Sequence, residues 1–316
     1  MVRTGADRFR SNAGPVVSFE VIIPFLRPIE RLLESQTISE IMVNPDSSVW
    51  IEEDGRIQSC TGICFEDGAL LTALEVIANR FGKKLDADSP TMNLRLPDGS
   101  RMAAMIPPVV NPNPLITIRK FTARNFTLKD LVRTEMLTER QAAHLTDAVR
   151  NGQNILIAGG TGTGKTTLLN VLADAIPDHE RVLTIEDTAE LYIRKPHVVS
   201  AEAQLDTHRS ALTFDDLLRS ILRHRPDRIV VGEVRGSEAR TLLDAMNTGH
   251  RGTLATIHAS SAEETVLRFA ALAMRGGSNL TLPIVEAEIR RSLNLIVFIQ
   301  RVQSSRRVQE ILRIAG

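Results

Sequence analysis

Residues 155–166 constrain this chain more tightly than any other stretch. The apolar run Ile155-Leu156-Ile157-Ala158 leads directly into Gly159-Gly160-Thr161-Gly162-Thr163-Gly164-Lys165-Thr166, and Leu168, Leu169, Val171 and Leu172 follow at helical spacing. A short apolar run bounded by glycines reads as a buried strand, so the local order is strand, glycine loop, helix. The spacing itself, Gly159, four residues, then Gly164-Lys165-Thr166, is the phosphate-loop pattern. Glycines let backbone N–H groups turn toward an anion with no Cβ in the way. The helix that starts there adds its positive end. Lys165 is expected at the β- and γ-phosphates, the Thr166 hydroxyl on Mg²⁺, and Thr167 near the α-phosphate. The expected ligand is ATP with Mg²⁺. A chance glycine-rich turn would need neither this spacing nor this setting.

The flanking text extends the pattern. A helix is expected from the Thr138–Gln141 capping box to Asn151, stopped by Gly152. Strands are expected at Val182 to Ile185, Ile229 to Val231, Leu254 to Ile257 and Leu295 to Ile299. A helix capped by Thr213, carrying Leu217, Leu218, Ile221 and Leu222, ends before Pro226. Alternating strands and helices imply an α/β domain with a parallel sheet covered on both faces.

The N-terminal part reads differently. Ile41-Met42-Val43, a turn at Asn44-Pro45-Asp46, Val49-Trp50-Ile51 and hairpin signals at Asp54-Gly55 and Pro97-Asp98-Gly99 suggest antiparallel strands. Leu70, Leu74, Ile77 and Phe81 have helical spacing, with Gly82 as the stop. Residues 116–121 are expected to close the domain as a strand, and 107–114, with Pro107, Pro108, Pro112 and Pro114, to form a stiff extended connection or an edge feature. The expected organisation is a mobile tail at 1–17, a smaller α+β domain at 18–122, a linker at 123–137 and the phosphate-loop domain at 138–316.

Composition narrows the class. Lys plus Arg and Asp plus Glu balance at 38 each, with one Trp and one Tyr, so neither a basic face nor aromatic stacking platforms for nucleic acid are evident. The clusters Arg223-His224-Arg225 and Arg306-Arg307 read as solvated surface. Cys60 and Cys64 make neither a disulfide framework nor a zinc site. No apolar run approaches a membrane helix and no leader-like segment opens the chain, so a cytoplasmic protein, peripheral if at a membrane, is expected.

Hydrolysis needs groups beyond the loop. Ile229-Val230-Val231 ends in Gly232-Glu233, placing Glu233 at the strand end where open parallel sheets bind ligands. Val182 to Ile185 ends in Glu186-Asp187, with Glu190 following, a candidate metal-water site. His258 ends another strand and is a candidate donor to the γ-phosphate, whereas His250, at that strand's other side, reads as structural.

These motifs together resemble the secretion ATPase superfamily of type II and type IV secretion, conjugation and pilus machines. The matching parts are the phosphate loop, an Asp box Thr184 to Glu190, a Walker B segment Leu222 to Glu233 and a His box Gly249 to His258. Glu40 to Pro45, Asp98 to Arg101 and Ile118 to Phe121 match in style, so the likeness spans about 20–316. The resemblance implies a RecA-like ATPase domain after the smaller domain, nucleotide held near a subunit boundary, and a homohexameric ring at the cytoplasmic face of the inner membrane. It implies Glu233 as catalytic glutamate, Glu186 and Glu190 as Asp-box residues near the metal (Glu190 with Thr166 as its ligands), and His258 as phosphate sensor. It also implies phosphate-contacting arginines, for which Arg101 and Arg119 match best. The partners implied are further copies of the chain and inner-membrane components of a secretion or mating apparatus. Specific nucleic-acid binding is not expected.

The short chain and the lack of a four-cysteine module resemble the compact conjugal-transfer branch, and the tight-adherence pilus ATPases share the Glu186-Asp187-Thr188 wording. The competing classes are a RecA-like DNA motor, disfavoured by zero net charge, and a nucleotide-gated scaffold without turnover, disfavoured by Glu233, Glu186 and His258.

Overall fold

The computed structural model describes residues 23–35, 37–53, 55–96, 99–120, 126–187, 190–203, 213–277, 280–303 and 305–314. The expected tail 1–17, and Asp54, Pro97, Asp98, Phe121 and Thr188 among the expected turn and motif residues, lie outside them. The chain divides into two compact units, 1–123 and 124–316.

The first unit opens with α1 (Glu30–Glu34) and builds one sheet from β1 (Ile38–Val43), β2 (Val49–Glu53), β3 (Arg56–Cys60), then, after α2 (Ala69–Arg80), β4 (Thr91–Arg95), β5 (Arg101–Met105) and β6 (Leu115–Arg119). The order is β3-β2-β1-β6-β5-β4 with antiparallel pairings. β4 and β5 alternate buried and exposed, the period of a sheet covered on one face. Leu70, Leu74 and Ile77 of α2 join the core of that face. β6 is the unit's last strand in the chain and lies inside the sheet between β1 and β5, with Ile116 and Ile118 buried. One expectation changes. The proline-rich segment turns rather than extends, because it joins the antiparallel neighbours β5 and β6.

The second unit comprises α3 (Leu128–Arg133), α4 (Glu139–Arg150), β7 (Ile155–Gly159), α5 (Lys165–Ala173), β8 (Val182–Glu186), β9 (Val198–Glu202), α6 (Phe214–Ile221), β10 (Arg228–Val234), α7 (Glu238–Asn247), β11 (Leu254–Ile257), α8 (Ala262–Met274), α9 (Leu282–Ser292), β12 (Leu295–Val302) and β13 (Ser305–Arg313). Its sheet runs β13-β12-β7-β11-β10-β8-β9, parallel except for β13, which returns antiparallel along β12. β7, β8 and β11 are buried at every position, as strands covered on both faces must be. Side-chain alternation divides β7 between two cores. Leu156 and Ala158 pack with α6 to α9, and Ile155 and Ile157 with α3 to α5. The fold is therefore α/β with a parallel-rich sheet.

The capping box of α4 is as its sequence requires. Gln141 N donates to Thr138 Oγ1 at 3.2 Å and Thr138 N donates to Gln141 Oε1 at 2.9 Å. The stretch 123–137 differs from the expected linker. From Phe126 onward it carries α3, with its own capping box at Thr127 and Asp130, and Leu131, Met136 and Leu137 are buried in the second unit's core. Phe126, Leu128 and Val132 pack partly buried against the same core, so the segment is anchored by its short apolar pieces.

Candidate active site

Parallel strands carry their C-terminal ends to one edge of the sheet, and four of them deliver the site. β7 ends in the glycine loop, β8 in Glu186-Asp187, β10 in Glu233 and Arg235, and β11 in His258. The loop's glycines are required by space. A Cβ on Gly159 would lie 2.3 Å from the Ile299 carbonyl oxygen, and Gly162 and Gly164 have φ of +69° and +96°. Thr163 Oγ1 donates to the Gly160 carbonyl at 2.9 Å, closing the loop on itself. Thr161, Gly162 and Thr163 form its tip, and Thr166 and Thr167 stand in the first turn of α5.

Lys165 is 7% exposed, and its Nζ donates to the carbonyls of Gly159 at 3.1 Å and Gly160 at 2.9 Å. Burial pushes its pKa down, opposed by Glu233 and Glu190 and aided by Arg235. Lys165 Nζ also lies 3.5 Å from His258 Nδ1. An ammonium only donates, so Nδ1 is the acceptor and the imidazole proton belongs on Nε2. That nitrogen is 3.2 Å from Glu233 Oε1. Burial and then the Lys165 charge push the His258 pKa down, against Glu233, which favours the neutral ring. The residues form a chain of contacts in which Lys165 Nζ meets His258 Nδ1 and His258 Nε2 faces Glu233 Oε1. The Nε2 hydrogen that His258 is expected to offer to the γ-phosphate here faces Glu233.

Glu233 has a second, stronger partner. Arg235 Nε donates to Oε1 at 2.7 Å and Arg235 Nη2 to Oε2 at 3.0 Å. Burial raises the Glu233 pKa, but the Arg235 hydrogen bonds and the Arg235 and Lys165 charges outweigh it, with His258 acting the same way whenever it is protonated, and the net shift is downward. Arg235 also reaches Asp187 Oδ2 through Nη1 at 3.0 Å. Sequence reading did not single out Arg235, because nothing local signals a contact with Asp187 from 48 positions away.

Glu186 is 3% exposed, and its Oε1 accepts from the backbone N–H groups of Glu190 and Leu191, both at 2.8 Å. Burial raises its pKa to about 7 despite those hydrogen bonds. Its stem fixes the residue opposite, since a Cβ on Gly232 would sit 3.0 Å from Glu186 Cγ. Glu186 thus anchors the segment that carries Glu190, whose charge is felt by both Lys165 and Arg235. Among the described residues no group of three or more His, Cys, Asp or Glu could hold a metal by itself. Thr166 and Glu190 are oxygen donors beside a phosphate loop, which suits Mg²⁺, an ion held by few protein ligands together with phosphate and water.

Arg101 and Arg119 belong to the first unit and face each other in register across β5 and β6. Arg306, expected as plain surface, has its Cδ 3.5 Å from where a Cβ on Gly164 would lie, and Met136 Cε is 3.2 Å from the same point. Both flank the phosphate loop within the second unit. A groove of about 750 Å³ lies at the opposite edge of the sheet, lined by Asn151, Asn154, Arg240, Asn247, Arg251 and Arg291 among others. The C-terminal ends of α4, α7 and α9 converge there, and helix C-termini disfavour phosphate.

Comparison with known proteins agrees with this geometry. The model of the family described as Type II/IV secretion system protein matches residues 26–310. The conjugal transfer protein TrbB of Rhizobium radiobacter is 37% identical over 289 residues, covering 90% of this chain and 86% of the relative. The crystal structure of the VirB11 ATPase from the Brucella suis type IV secretion system, in complex with sulphate, is similar at 26% identity with a TM-score of 0.50, covering 92% of this chain and 94% of the other. The X-ray structure of the Legionella pneumophila ATPase DotB shares the fold at 22% identity with a TM-score of 0.67, covering 93% and 81%.

Proposed function

The chain belongs to the type II/IV secretion system protein family, and we propose that it is the ATP-hydrolysing motor of a type IV secretion apparatus of the conjugative kind. The observation that carries the reading is the chain Lys165–His258–Glu233, which links the phosphate-binding lysine to a strand-end carboxylate through one imidazole. The likeness to TrbB over most of both chains supports conjugation over pilus assembly.

In this reading the N–H groups of the loop Gly159 to Lys165 bind the phosphates, and Lys165 leaves the Gly159 and Gly160 carbonyls for the β- and γ-oxygens. Glu233, kept deprotonated, orients the attacking water. His258 reports on the γ-phosphate through its contacts with both Lys165 and Glu233. Glu186 acts through the segment it pins, which carries Glu190 within electrostatic reach of Lys165. Mg²⁺ held by Thr166 and Glu190 would neutralise charge on the β- and γ-oxygens. Arg101 and Arg119 are the candidates for the arginine that stabilises the transferring phosphoryl group.

The working form is a homohexameric ring, peripheral at the cytoplasmic face of the inner membrane and docked on membrane components of the mating apparatus. Its support is the resemblance in the four boxes, and no helix among the described residues is long and apolar enough to cross a membrane. Purified protein is expected to hydrolyse ATP with Mg²⁺, to stop on chelation, and to stop with Lys165→Ala. The same variant in a donor cell should abolish DNA transfer. Transfer at the wild-type level with Lys165→Ala would sink the motor reading.

A further inference from the structure

Arg235 is held at both ends. Its backbone N–H donates to Glu238 Oε1 at 2.6 Å, joined there by the Gly236 N–H at 2.7 Å, and Glu238 is buried. Its guanidinium takes both oxygens of Glu233 and one of Asp187. Stability does not explain this arrangement, because the Arg235 side chain is 62% exposed and exposed ion pairs contribute little.

The acceptor count on Glu233 does explain it. An ionised carboxylate offers about four lone-pair sites. Oε1 accepts from Arg235 Nε and has its other side covered by His258 Nε2 at 3.2 Å, and Oε2 accepts from Arg235 Nη2. Among the described residues, that leaves one lone pair open, on Oε2. A carboxylate free to rotate presents all its lone pairs to solvent, whereas this one has a single direction left in which to hold a water.

We infer that Arg235 is a positioning residue for hydrolysis, its planar fork fixing Glu233 so that one Oε2 lone pair orients the attacking water, and tying that orientation to Asp187 at the end of β8. The inference rests on Glu233 being the water-orienting group. Lysine cannot replace the fork, since a single ammonium does not grip both oxygens in one plane. The groups facing Glu233 are Arg235 beyond β10, His258 beyond β11, Lys165 at the start of α5, and Glu186 on β8 against Gly232. Asp187 and Glu190 act on it through Arg235.

The test is steady-state ATP turnover across pH for wild type, Arg235→Gln, Arg235→Lys and Glu233→Gln, each checked for a wild-type circular-dichroism melt. Arg235→Gln is expected to lower kcat by roughly ten- to a hundredfold, the scale of a misplaced catalytic group, with KM for ATP within about twofold. The acid limb of its kcat profile moves to higher pH, because the guanidinium no longer opposes the burial of Glu233. Arg235→Lys restores the position of that limb more fully than it restores kcat. An unchanged kcat in Arg235→Gln, beside an inactive Glu233→Gln, overturns the role of Arg235 alone. A fall in kcat with no movement of the acid limb also overturns it, as a structural defect would. Full turnover in Glu233→Gln overturns the Glu233 reading and the role of Arg235 with it.

Discussion

The two edges of the parallel sheet handle charge in opposite ways. At the N-terminal edge Arg228 is 4% exposed and every direction around it is filled. It pairs with Glu180 through Nε and Nη2, and Nη1 donates to the Val149 carbonyl at 2.8 Å. Asn154 beside it is similarly satisfied, donating to the Ser292 carbonyl at 2.7 Å and accepting from the Thr253 N–H at 2.9 Å. At the C-terminal edge Lys165 is nearly as buried, yet its partners are loop carbonyls and a neutral histidine, with Glu233 felt only at a distance. A completed ion pair holds one edge together. An uncompleted one leaves the other edge ready for a ligand that brings its own negative charge.

Matched deletions are the largest test of that difference. Lys165→Ala should cut ATP turnover by a factor on the order of 10²–10³ or more, since it removes a fixed charge aimed at the reacting group. It should not lower thermal stability, because burial already works against the Lys165 charge. Arg228→Ala should do the reverse. It strands Glu180 and a carbonyl, costing about 3–5 kcal/mol in a urea melt, while turnover per folded molecule stays near wild type. A Lys165→Ala protein as destabilised as Arg228→Ala would erase the distinction.

Glu186 sharpens it next. Its pKa is raised from the usual 4.5 to about 7. As pH rises through that window the unfolded chain releases the Glu186 proton and the folded chain keeps it, so stability falls and then levels above about 7. The cost at pH 8 is about 3 kcal/mol. Glu186→Gln keeps the acceptor for the Glu190 and Leu191 N–H groups and has no charge to bury. It should melt higher than wild type at pH 8 and close to it at pH 4.5. Identical pH dependence in both proteins would mean that Glu186 is not what this edge sacrifices stability to keep.

How much of this was legible in the sequence follows from distance along the chain. The phosphate loop was readable because its chemistry lies in eight consecutive residues between a strand and a helix. Glu233 and His258 were readable because each ends an apolar strand, and parallel strands end together. Arg235 was not, because its meaning comes from Asp187 and from the number of lone pairs left on Glu233. Arg306 and Met136 reach the loop through the β12–β13 return and the segment after α3, and neither carries a periodic signal. That β6 lies between β1 and β5 was not legible, because strand order is a tertiary property that a period of two cannot encode.

The smallest effect asks whether the N-terminal edge is packed around Arg228 or merely near it. Gly252, inside the His box, has φ +72°, and a Cβ there would lie 1.9 Å from Arg228 Nη1 and 2.6 Å from Cζ. Arginine tips usually swing aside, but Glu180 and the Val149 carbonyl hold this one. Gly252→Ala should therefore cost about 2–3 kcal/mol, backbone strain plus the displaced guanidinium. In an Arg228→Ala background the clash is gone and only the left-handed backbone remains, about 1 kcal/mol. The two substitutions should thus be less than additive by about 1–2 kcal/mol, as contacting residues are. Strict additivity would mean that the glycine is there for its φ alone. The His box would then join a functional histidine to a turn, with no structural tie to the ion pair at the sheet's other edge.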